Sequence, residues 1–161
     1  MYRRILIAAD GKDDARRLVR ALKELMPRPD GVEVTVLQVL PPPVPPGVTN
    51  PLVPPLTGGD DLILLGEANA RRDLQPLADE LAGAGFAATV DVAIGAPGPE
   101  ICRYAQNGGF QVIVMGRRGL GRVQEVLLGS VSEYVLRHAH LPVLVVQQPR
   151  GTAAESQEAA G

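Results

Sequence analysis

Five short runs suited to β-strands, each separated from the next by a stretch with helical spacing, constrain what this chain can fold into. They are residues 4–9 (Arg-Ile-Leu-Ile-Ala-Ala), Val32–Leu40, Phe86–Ile94, Gln111–Met115 and Pro142–Gln147. The first and fourth are apolar without alternation, the pattern of strands buried on both faces of a parallel sheet. Between the first two, Asp13 and Asp14 open a helical pattern carried by Leu18, Val19, Leu22 and Leu25, which Pro27 and Pro29 end. Asp60-Asp61 start a second helix through Leu64, Ala68, Leu74, Leu77 and Leu81. Pro76 lies inside that pattern and predicts a kink or a split into two pieces. Pro97 and Pro99 open a third helix, which runs to Gln106, and a fourth spans about 129–139. Strands alternating with helices predict an α/β domain: an open parallel five-stranded sheet with helices on both faces, joined by right-handed crossovers.

With 161 residues the chain fits one domain, expected over 1–148. Eight of its fifteen prolines lie between Pro41 and Pro55, so residues 41–59 read as a proline-rich loop within that domain. The polar tail 149–161 is expected to be disordered. A net charge of −2 and 3% aromatic residues, with no Trp, argue against a nucleic-acid partner. One cysteine excludes an internal disulfide framework and a multi-cysteine metal site. No apolar run approaches the ~20 residues that span a bilayer. The apolar stretch after Arg4 stops at Asp10, short of the ~7–15 residues of a signal-peptide core, so a cytoplasmic protein without a membrane partner is expected.

The chemistry concentrates after the fourth strand, in Gly116-Arg117-Arg118-Gly119, nine further residues, and then Gly129-Ser130. Gly116 ends a strand at the sheet edge where open α/β proteins bind ligands. Glycines at 116 and 119 allow positive φ and close backbone approach. Gly129 and Ser130 begin a helix, where unpaired N–H groups and the macrodipole favour an anion. The Ser130 hydroxyl adds a donor, Ser132 follows, and Arg117, Arg118 and Arg122 add positive potential. Taken as bare spacing, the same residues also describe a plain surface turn followed by an N-cap.

Residues 111–146, from Gln-Val-Ile-Val-Met-Gly-Arg-Arg-Gly through Leu-Gly-Ser-Val-Ser-Glu-Tyr-Val to Leu-Pro-Val-Leu-Val-Val, resemble the C-terminal half of the universal stress protein family. Arg4-Ile-Leu-Ile-Ala-Ala-Asp10-Gly11 resembles that family's first strand and turn. The likeness covers 1–40 and 60–147, and the G-x2-G-x9-G-S pattern marks the family's ATP-binding branch. This resemblance implies sheet order 3-2-1-4-5, with strands 1 and 4 side by side at the topological switch point. It implies ATP, ADP or AMP as ligand, with Mg as an accompanying cation. Ala8 and Asp10 would border ribose and adenine, Val39 would meet adenine through its backbone, and Met115 would line the pocket. Gly116, Gly119, Gly129 and Ser130 would hold the phosphates. Asp10 also suits a helix cap or an Asx turn. The chain departs from the family pattern at Lys12-Asp13-Asp14, where a Ser and an acidic residue are common, and at Gln38, where a His is common.

His138 and His140 lack the spacing of paired metal ligands and suit a helix C-terminus. Cys102 reads as small core filler, Glu125 as a solvated loop charge, and no catalytic triad is recognisable. Strand 5 (142–147) becomes an edge in the implied order, so a homodimer through it is expected, as in many relatives. The leading function is a nucleotide-binding regulatory or stress-response module with no catalytic residues and slow ATP turnover at most. The alternatives are a slow ATPase or phosphoryl- or nucleotidyl-transfer enzyme, and an interaction module whose proline loop recruits a protein partner.

Overall fold

The computed structural model describes residues 1–42, 59–117 and 129–147. Gly119, Arg118, Arg122 and Glu125, nearly all of the proline-rich loop, and the tail from 148 onward lie outside the described residues.

Among the described residues nine elements alternate: β1 (Arg4–Ala9), α1 (Lys12–Leu25), β2 (Glu33–Leu40), α2 (Gly59–Gly83), β3 (Ala87–Ile94), α3 (Pro97–Asn107), β4 (Val112–Gly116), α4 (Ser130–His138) and β5 (Val143–Val146). The strands form one sheet in the order β3-β2-β1-β4-β5. All pairings are parallel, with Ile5 opposite Val34 on one side and Val112 on the other. The expected architecture and strand order are therefore present.

The solid apolar runs of β1 and β4 follow from burial on both faces. Ile5, Ile7 and Ala9 of β1 pack with Val112 and Val114 of β4 against Leu18, Val19 and Leu22 of α1 and Leu74, Leu77 and Leu81 of α2. Leu6 and Ala8, with Ile113 and Met115, face Ile101 and Ala105 of α3 and Val135 of α4. With a side-chain period of two, neighbouring residues serve opposite cores and neither can be polar. Cys102 packs at the border of the second core, as expected of core filler.

The expected split at Pro76 does not occur; α2 continues through it as one helix. Pro76 and Arg72 are both exposed, so the carbonyl that loses its N–H partner at this proline lies on the solvent side and can bond to water. The opposite stripe of α2, including Leu74, Leu77, Ala78 and Leu81, is buried. Packing of that stripe outweighs the missing backbone bond.

Candidate functional site

β1 and β4 lie side by side, and the chain leaves β1 toward β2 but β4 toward β5, so the two connections run in opposite directions and open a crevice at the strands' C-terminal ends. A cavity of about 280 Å3 occupies this position. Ala8, Ala9 and Asp10 of β1 and its turn line one wall, with Asp14 of α1. Leu37 and Val39 of β2, with Pro97 and Ile101 of α3, make an apolar end. Met115 and Gly116 of β4 and residues 129–132 at the head of α4 complete it.

The sequence-derived residues Ala8, Asp10, Val39, Met115, Gly116, Gly129 and Ser130 thus converge on one cavity. Two of the reasons offered for the glycines need correction. Gly116 is a buried strand residue and is not among the positive-φ glycines. What a side chain there would meet is crowding: a Cβ would lie 2.6 Å from Arg17 Nη2 and 2.7 Å from Asp14 Oδ1, so the ends of those two side chains would have to shift. Gly129 has φ −59 and ψ 156, an extended N-cap that many residues adopt. Its N–H donates to Arg117 O at 2.8 Å and is not spare for a ligand. Glycine is required instead at Gly11, where φ is 93 in the turn from β1 to α1.

The anion-binding potential of α4 therefore rests one residue further on. Glu133 N–H donates to Gly129 O at 2.9 Å and starts the helical ladder. By helix geometry, Ser130, Val131 and Ser132 then present N–H groups with no carbonyl inside the helix, and all three residues line the cavity. No side chain among the described residues caps this end. The Ser132 hydroxyl is buried and donates to Gly116 O at 2.8 Å and to Arg117 O at 3.3 Å. Together with the Gly129–Arg117 bond it ties the end of β4 to the head of α4.

Ala9, Asp14, Leu37, Pro97, Ile101 and Val131 also line the cavity and were missed as site residues. Asp14 Oδ2 accepts the Asp10 N–H at 2.9 Å, and its Oδ1 pairs with the Arg17 guanidinium. Burial pushes the Asp14 carboxyl above its usual range, against the opposing pull of the Asp10 N–H and Arg17. Its position four residues after Asp10, in the first turn of α1, was the one signal that could have found it. Among the described residues no cluster of three or more His, Cys, Asp or Glu is placed to hold a metal ion. His138 Nδ1 lies 2.8 Å from Tyr134 O and its ring stacks on Tyr134, an arrangement internal to α4 near its C-terminus.

A doubly wound α/β domain with an anion-attracting crevice at the switch point of its sheet defines a class of small-ligand binders. The universal stress protein family model matches residues 1–147, and the chain belongs to that family. It is 31% identical over 159 residues to the universal stress protein MJ0531 of Methanocaldococcus jannaschii, covering 93% of this chain and 85% of that one. Two other curated relatives are matched over only about half their length, 53% and 49%. The solved structure of the hypothetical protein MJ0577 superposes with a TM-score of 0.78 at 27% identity, over 94% of this chain and 99% of that one. The structure of the universal stress protein from Archaeoglobus fulgidus in complex with dAMP superposes with a TM-score of 0.61 at 26% identity, over 89% and 97%.

Proposed function

We propose that this protein is a nucleotide-responsive stress module that holds ATP, or ADP or AMP, in the crevice between β1 and β4. The observation that carries this reading is the meeting of three features in one cavity: an apolar end, the Asp10 carboxylate, and the free N–H groups of the first turn of α4. Leu37, Val39, Pro97 and Ile101 suit a flat base, and Asp10 suits a ribose hydroxyl. Gly116, Ser130 and their neighbours suit phosphate. Ala8, Met115 and Gly129 complete the walls, and Gly119 is assigned to the phosphates by the spacing of the motif alone. The dAMP bound by the Archaeoglobus fulgidus relative supports an adenine nucleotide as the ligand class. Asp10 and Asp14 also fit the one or two carboxylates that a nucleotide-borne Mg2+ takes from a protein. The action is binding rather than turnover, in the cytoplasm, by a homodimer formed through β5.

Native mass spectrometry of the purified protein, followed by denaturation and identification of the released small molecule, tests this reading. An adenine nucleotide is expected. Isothermal titration should then give a Kd for AMP or ATP that Asp10→Ala weakens about tenfold or more, as loss of a charged hydrogen-bond partner implies. No released nucleotide together with no titration heat at millimolar ligand would overturn it.

A further inference from the structure

The Gly116 end of the crevice carries a charge arrangement that binding a phosphate does not require. The Asp14 side chain is only 12% exposed, yet it lines the cavity. It is fixed by two donors on different elements, the Asp10 N–H at 2.9 Å and the Arg17 guanidinium. Both Asp14 Oδ1 and Arg17 Nη2 abut Gly116 so closely that a methyl group on it would have to displace them. The buried Arg17 Nε has no hydrogen-bond partner among the described residues, which leaves Asp14 as the acceptor that holds this guanidinium. If the carboxylate swung away from an arriving anion, it would strip both donors of their acceptor. A negative charge is thus held in place beside the phosphate end, paired with a guanidinium that abuts Gly116 as closely.

We propose that Asp14 is a specificity-determining residue that ranks adenine ligands by phosphate charge. Its fixed carboxylate selects against bare polyphosphate chains, and Arg17 moderates that selection. The inference rests on the nucleotide-binding reading above. Adenosine brings no charge to the Gly116 corner, AMP brings some, and metal-free ATP brings the most. Charges a few ångströms apart in a partly buried site interact strongly enough to change affinity about tenfold.

The test measures Kd for adenosine, AMP and ATP by isothermal titration calorimetry, in EDTA and at low salt, for the wild type, Asp14→Asn and Arg17→Gln. Asparagine keeps an oxygen for the Asp10 N–H while removing the charge. The ratio of ATP affinity to adenosine affinity should rise about tenfold in Asp14→Asn and fall about threefold or more in Arg17→Gln. A purely structural role would weaken all three ligands together and leave the ratio within about twofold of wild type, which would overturn the inference. A ratio that moves in the same direction in both variants would overturn it as well. Because the two variants are expected to move it oppositely, either alone decides the matter if the other fails to fold. A wild type that binds none of the three ligands removes the nucleotide reading itself, whereas a wild type that binds them with a ratio insensitive to both substitutions removes only this inference.

Discussion

At the scale of single residues, Gly116 shows how one position can serve packing and site together. Its missing side chain makes room for the Asp14–Arg17 pair, so that pair and the crevice wall share one small volume. Gly116→Ala should therefore destabilise the fold by about 1–3 kcal/mol, the usual cost of forcing a group into filled space. The loss would be read as a lower urea midpoint with an unchanged slope. An unshifted midpoint would mean the pair moves aside at no cost. Asp10 and Gly116 were legible in the sequence because one directly follows a strand and the other closes one, and strand ends can be found from apolar runs. Asp14 and Ile101 were not, because their place in the wall depends on how α1 and α3 rotate about their axes as they pack.

Between elements, α3 is fastened to the sheet by a polar group that the apolar pattern did not reveal. Tyr104 Oη donates to Asp91 Oδ2 at 2.6 Å, joining α3 to β3. Arg71 of α2 reaches around the edge of the sheet, donating to Asp91 Oδ1 at 2.9 Å and to Val90 O at 3.2 Å. Burial works against the Asp91 charge. The Tyr104 hydroxyl, the Val92 N–H and Arg71 outweigh that effect and hold the carboxyl below its usual range. Burial and the Asp91 carboxylate push the Tyr104 hydroxyl up to about 12. The two groups give opposite signs. The Asp91 contribution is present above its unfolded value near 3.9 and is lost as pH falls through the lower folded value. The Tyr104 contribution is present below about 10 and is lost as pH rises toward about 12. Tyr104→Phe should remove the alkaline limb and cost about 1 kcal/mol at neutral pH, as measured by thermal melts across pH. Identical melting profiles for variant and wild type above pH 10 would refute this coupling. That α2 runs through Pro76 as one helix was not legible in the residue pattern, since the outcome turned on which side of the helix that proline faced.

For the whole molecule, the order β3-β2-β1-β4-β5 leaves β5 as an edge whose backbone is paired on one side only among the described residues. Leu144 is 36% exposed on it, and Tyr2, Leu25, Met26 and Pro142 help to line an adjoining apolar groove of about 320 Å3. The proposed homodimer would cover this face. Analytical ultracentrifugation at micromolar concentration should give twice the 17.0 kDa chain mass for the wild type and the single-chain mass for Leu144→Lys. A monomeric wild type would reject the assembly. The alternation of elements foretold a parallel sheet, but its strand order was legible only through the family resemblance of the residues around β1 and β4, while the head-of-helix donors depended on backbone pairing that no residue pattern shows. The central place of β1 also bears on how the chain is made. Its flank toward β4 is closed partly by the Gln111 side chain, whose Oε1 accepts the Arg4 N–H from 107 residues away. As the polypeptide leaves the ribosome, β1 can zip to β2 early, but its other flank stays open until most of the chain has been translated. For most of synthesis the nascent protein thus displays a bare apolar strand at the heart of its future sheet, and that interval is when a chaperone would matter most.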